Sequence, residues 1–96
     1  MQMRWSPAAA EDLQDLFDYI RTDNPSVAQR AAEIIYMRAS ELGAHPYQGR
    51  PGRILGTREL PLPPLPFIVV YRVREDADVI EIINVIHGAQ GWPPAS

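Results

Sequence analysis

Phe67-Ile68-Val69-Val70-Tyr71-Arg72-Val73-Arg74, then Glu75-Asp76-Ala77-Asp78, then Val79-Ile80-Glu81-Ile82-Ile83-Asn84-Val85-Ile86-His87, is the stretch that decides the fold. Both long runs are β-branched and apolar on both faces, the pattern of central strands with helices packed on one side. The acidic tetrapeptide between them reads as a turn, so the pair predicts an antiparallel hairpin. Upstream, Pro63-Pro64 turns the chain into Phe67, and a short strand is expected at about residues 57–62. From Gly43 to Pro66 glycine and proline recur every few residues, which predicts ordered turn and loop.

The first half has a different period. Met1 to Trp5 alternates and reads as a short edge strand, and Ser6-Pro7 follows as an N-cap with proline at the first helical position. Ala9, Leu13, Leu16, Phe17 and Ile20 then form one apolar stripe, with Glu11, Asp12, Asp15 and Asp18 on the other face. Asn24-Pro25 stops this helix and caps the next, whose stripe is Ala28, Ala32, Ile35, Ala39 and Leu42, ending at Gly43 and Pro46. Two helices joined so closely make an αα-hairpin. The fold expected is α+β: an N-terminal strand, then an antiparallel two-helix hairpin packed on a three-stranded sequential antiparallel sheet, as one domain over residues 1–96.

Composition narrows the function. A chain of 96 residues that is 46% hydrophobic forms one modest core. The absence of cysteine removes disulfides, thiolate metal sites and a thiol nucleophile, in keeping with a reducing cytosol. No apolar run has signal or membrane-spanning length, so a soluble cytoplasmic protein is expected. A formal net charge of -3 argues against a general nucleic-acid coat. The acids gather in the first half and near the last hairpin, while Arg50, Arg53, Arg58, Arg72 and Arg74 face only Glu59, which predicts one basic patch. All nine cations are arginine, suited to bidentate contact with phosphate or carboxylate; a GC-rich coding sequence gives the same bias, and both readings stay open.

Few residues suggest chemistry. His45 sits in a loop with no Asp, Glu or Ser at a catalytic spacing and reads as a surface residue. His87 ends the last strand, where a side chain meets a cleft; a backbone cap and a functional contact are both consistent with that place. Asp12, Asp15 and Asp18 read as the solvated face of a helix, not as metal ligands. There is no phosphate-binding loop, no nucleophile elbow, and no metal or cofactor signature.

Several pieces in order carry a resemblance over the whole chain. They are Met3-Arg4-Trp5-Ser6-Pro7-Ala8-Ala9 with Asp12-Leu13, Tyr19-Ile20, Asn24-Pro25, Gly49-Arg50-Pro51-Gly52-Arg53, Gly56-Thr57-Arg58-Glu59-Leu60, Val69-Val70-Tyr71-Arg72-Val73, and His87-Gly88 followed by Trp92-Pro93. Together they resemble the RelE/ParE family of bacterial type II toxins, and the ParE-like members most closely. The resemblance implies a toxin that poisons DNA gyrase and is neutralised in a hetero-oligomer by a cognate antitoxin of the ribbon-helix-helix, ParD-like type. No cofactor, membrane or specific nucleic-acid partner is implied.

Two alternatives accompany it: a ribosome-dependent mRNA endonuclease of the RelE kind, and a degenerate toxin acting only through antitoxin binding and operon autoregulation. The nuclease members resemble one another in a Tyr-Arg-Val-Ile-Tyr-like strand and a C-terminal tyrosine or arginine. Here Ile68 fills the arginine position and Trp92 the tail position, leaving Arg58 and His87 as the only catalytic candidates. Gln90-Gly91 stands where many relatives carry charge. The residues expected at the target are Arg50, Arg53, Arg58, His87 and Trp92, with Trp92 as an anchor in the tail. Those expected at the antitoxin are Tyr19, Tyr36, Arg72 and Arg74, along a groove between hairpin and sheet. Substitution of Arg53 or Arg58 is expected to cost little stability.

Overall fold

The computed structural model describes residues 1–89 and 91–94. Strand β1 (Gln2–Trp5) leads into helices α1 (Pro7–Asp23) and α2 (Pro25–Glu41). Four strands follow: β2 (Arg50–Pro51), β3 (Arg58–Pro61), β4 (Phe67–Arg74) and β5 (Val79–His87). They form one sheet in the order β1-β5-β4-β3-β2. The expected class holds, with two additions: β1 lies parallel to β5, and the two-residue β2 extends the other edge. Among the described residues no helix is long and apolar enough to cross a membrane.

The caps behave as their chemistry dictates. Ser6 Oγ accepts from Ala9 N at 3.0 Å, and Pro7 supplies the first helical φ. Asn24 serves both helices: its N–H closes α1 on Ile20 O at 2.9 Å, and its Oδ1 accepts from Val27 N at 3.3 Å to open α2. One residue thus does the work of the loop, and the hairpin has no room to splay. The helices pack on the inner face of the sheet, where Ala9, Ile35, Ala39 and Leu42 meet Leu60, Leu62, Val69, Tyr71, Ile80, Ile82 and Val85. On α2, Ala31 rather than Ala32 is among the buried positions.

A β-bulge sets the phase of β5. Val70 pairs with Asn84 and Tyr71 with Ile82, which leaves Ile83 as an extra residue in β5. Ile80 and Ile82 face the helices before it, and Val85 faces them after it. The groups disturbed by the bulge are satisfied from the start of α1. Ser6 N donates to Ile82 O at 2.9 Å and Ser6 Oγ to Ile83 O at 2.8 Å. Asp12 Oδ2 accepts from Val85 N at 3.0 Å and from Asn84 Nδ2 at 2.9 Å. Asp12 is therefore not on a solvated face, as its spacing suggests; the strand turns it into a clamp between α1 and β5.

Removing the clamp strands a backbone donor and an amide. Asp12→Ala should lower stability by about 2–3 kcal/mol, since two hydrogen bonds to a charged acceptor are lost, whereas Asp15→Ala on the exposed face should be near neutral. Paired urea titrations check this, and equal midpoints would remove the clamp from the account.

Candidate functional site

The basic segment is organised around one acid. Glu59 lies in β3 with its side chain only 1% exposed. Arg50 Nη2 and Arg53 Nε each approach its Oε1 at 3.5 Å, and Arg53 N donates to Oε2 at 2.9 Å. The two arginines stand at 55% and 41% side-chain exposure, so each pairs inward and still reaches water. A turn holds them in place: Gly52 N donates to Thr57 O at 2.8 Å, and Thr57 Oγ1 to Ile54 O at 2.6 Å. A Cβ at Gly52 would run into Thr57 Oγ1, so the second glycine of Gly49-Arg50-Pro51-Gly52-Arg53 is required by close approach.

Arg58 is tied to the loop before β2. Its Nε donates to Gly49 O at 2.9 Å and its Nη2 to Tyr47 O at 3.4 Å, with the guanidinium 5.3 Å from the Tyr47 ring. The same loop is pinned from the core by Tyr71, whose hydroxyl accepts from Gly49 N and donates to Pro46 O, both at 2.8 Å. A Cβ on Gly49 would lie 2.7 Å from the Tyr71 ring, which explains the first glycine. Tyr71 was legible in sequence only as an apolar strand residue; a tyrosine with a buried hydroxyl requires a polar partner, and that requirement was the available signal.

The remaining candidates divide between the two faces. On the outer face Ile68, Val70 and Ile86 form a second apolar cluster, with Ile83 and Trp92 against it. Trp92 packs back on the sheet instead of standing free, and its carbonyl accepts from Arg53 Nη1 at 3.3 Å. Its Nε1 is buried with no hydrogen-bond partner among the described residues, a cost of about 1–3 kcal/mol that offsets much of the ring's burial. Gln90 lies outside the described residues. His87 is exposed at the end of β5; its Nδ1 accepts from Ala89 N at 3.0 Å, and its ring meets Phe67 edge-on at 5.7 Å.

The inner side offers an apolar groove of about 630 Å³ between hairpin and sheet, lined by Leu16, Tyr19, Ile20, Val27, Phe67 and His87 among others. Tyr19 is 80% exposed on its rim. The other residues expected beside it are elsewhere. Tyr36 stacks on Trp5 at 6.2 Å and borders a separate hollow with Leu13 and Phe17. Arg72 pairs with Glu81 at 3.8 Å, and Arg74 with Asp76 at 3.7 Å near the hairpin turn. Leu65, Phe67 and Val27 belong to the groove but carried no distinguishing mark in sequence. His45 is exposed, as expected of a loop residue. Among the described residues no group of three or more His, Asp or Glu side chains could hold a metal.

Comparison with known proteins fits this geometry. The family model described as "ParE toxin of type II toxin-antitoxin system, parDE" matches residues 3–92. A Sinorhizobium fredii protein named "Putative toxin Y4kP" is 39% identical over 92 residues, covering 96% of this chain and 93% of that protein. Among solved structures, the chromosomal ParDE toxin-antitoxin system from P. aeruginosa superposes with a TM-score of 0.81 at 29% identity, over 91% of this chain and 95% of that one. A chain of the RelBE2 toxin-antitoxin complex from Mycobacterium tuberculosis shares the fold at 21% identity and a TM-score of 0.61, over 90% and 95% of the two chains.

The pairing of the arginines changes the stability expected of their variants. Arg58→Ala removes the bonds to the Gly49 and Tyr47 carbonyls and should lower stability by about 1–2 kcal/mol, while Arg30→Ala on the exposed face of α2 should not. Thermal melts of the two decide it; identical curves would return Arg58 to a purely external role.

Proposed function

This chain belongs to the ParE family of toxins from type II toxin-antitoxin systems, and from that premise we propose that it arrests growth by binding DNA gyrase without cutting RNA. The observation that carries the choice is Ile68. Where the nuclease members of the wider family resemble one another in an arginine, this chain has a side chain 7% exposed in an apolar cluster. Cleavage of RNA by 2′-OH attack needs a base, an acid and cations around the phosphate. Of the retained candidates, Arg58 is spent on Gly49 and Tyr47 carbonyls, and His87 Nδ1 on Ala89 N. The arrangement favours a contact surface over a reaction centre.

The target surface we assign is the outer end of the sheet, where Arg50 and Arg53 reach water beside Trp92. Two neighbouring folds come from ParDE and RelBE toxin-antitoxin systems, which supports a cognate antitoxin as partner, of the ParD-like type by family. Its place is the apolar groove of Leu16, Tyr19, Ile20 and Phe67, which suits an amphipathic helix from a segment that folds on binding.

Purified protein should inhibit gyrase supercoiling or accumulate cleaved DNA, and should leave ribosome-bound transcripts intact in primer extension. Codon-positioned cuts with unaffected gyrase would replace this reading with the endonuclease. For the groove, Tyr19→Ala should weaken antitoxin binding roughly tenfold or more, as expected for an exposed aromatic anchor, with no change in melting temperature. Unchanged affinity by calorimetry would move the antitoxin to another face.

A further inference from the structure

The hairpin of β2 and β3 ends in an apolar side chain that the fold does not use. Leu55 is 97% exposed, more than any other large apolar residue among those described. It belongs to neither apolar cluster. Its backbone, in contrast, is fixed: Gly52 N donates to Thr57 O at 2.8 Å, Thr57 N to Ile54 O at 3.1 Å, and Thr57 Oγ1 to that same Ile54 carbonyl at 2.6 Å. Gly56 has φ +83°, and a Cβ there would meet nothing within 4 Å, so the glycine serves the backbone of a type II turn with Leu55 at its second position. Proline or a polar residue suits that position, and leucine gains nothing there from folding. We propose that Leu55 is an apolar plug that seats in a hydrophobic socket edged by carboxylates on a partner protein, with Arg50 and Arg53 as the cations that meet the rim. On the gyrase reading, on which this rests, the partner is the enzyme itself and not its DNA.

Charge and geometry select that partner. Arg50 and Arg53 stand on the same hairpin, half-exposed and oriented by Glu59, so a carboxylate rim finds preorganised donors near the plug. An apolar centre within a polar rim is the arrangement in which a few side chains carry most of a contact's energy. The turn is formed before the partner arrives, so the tip loses little entropy on docking. Nucleic acid fits less well. Arg50, Arg53 and Arg58 outnumber Glu59 by only two on a chain of net charge -3, too few cations to hold a phosphate backbone while a leucine wedges between bases.

The test uses purified gyrase holoenzyme, with binding measured in the absence of DNA and inhibition of supercoiling in its presence. Leu55→Ala should weaken both about tenfold, the worth of burying most of a leucine side chain. Leu55→Met should retain most of both, because volume and polarity are conserved. Melting temperatures should stay together, since the side chain touches almost nothing. Leu55→Lys separates a socket from simple charge: a cation at the tip should bind a socket more weakly than alanine does, whereas a partner that reads charge alone would take it more tightly. Tighter binding of Leu55→Lys, or inhibition by Leu55→Ala equal to that of the wild type, overturns the plug and leaves the gyrase reading standing. Wild-type protein that neither binds nor inhibits gyrase overturns both. Leu55-dependent binding to a linear DNA duplex, with none to gyrase free of DNA, overturns the protein socket.

Discussion

A carboxylate buried in the outer face of a sheet must be answered by donors, and the segment from Gly49 to Leu60 is built to answer Glu59. The penalty for burying an ion amounts to several kcal/mol even after relaxation, so each partner has to be delivered at a fixed place. Arg50 comes from β2, across the strand pair that sets Arg50 opposite Glu59. Arg53 comes from the turn closed by Gly52 and Thr57. The two short motifs that carry the family likeness here are therefore halves of one device: the first supplies the cations and the glycines that let it close, the second the acid and the threonine that shape the turn.

The bulge in β5 connects this device to the groove on the other face. Side chains alternate along a strand, so one extra residue exchanges the faces of everything after it. With Ile83 inserted, Ile86 joins the outer cluster under Trp92, and His87 falls on the helix side beside Phe67 and Tyr19. Without it the two would trade places: the cluster would lose an isoleucine and the groove its histidine. Ser6 and Asp12 hold the bulge, so the first turns of α1 determine the chemistry of both faces.

What could be read in the sequence followed from local rules. The serine and asparagine caps, the helical stripes and the last hairpin each state their structure within a few residues, and the groove follows from laying the hairpin on the sheet. The bulge left no trace, because Ile82-Ile83-Asn84-Val85-Ile86 is apolar in either phase. Asp12 was misread because its periodicity shows only which helix face it occupies, while its acceptors' partners are Asn84 and Val85, more than seventy residues away. The parallel pairing of β1 with β5 was likewise unreadable, since a strand's own sequence does not name its neighbour. The arginines were legible as a cluster, but not the way in which Glu59 and the Tyr47 and Gly49 carbonyls engage them.

That engagement bears on how an arginine can serve both the fold and a partner. A guanidinium has five N–H donors in a rigid fork, and Arg50 and Arg53 turn only part of that fork toward Glu59. Pairing fixes their orientation and removes much of the entropy that a free side chain would lose on binding, so the donors left outside are preorganised. Lysine would not do this: its charge can satisfy Glu59 or face outward, not both. The all-arginine composition then has a physical use at these two positions whatever its genomic origin. The half-exposed guanidinium beside a buried acid is the feature that allows the same residues to support the sheet and present a contact surface.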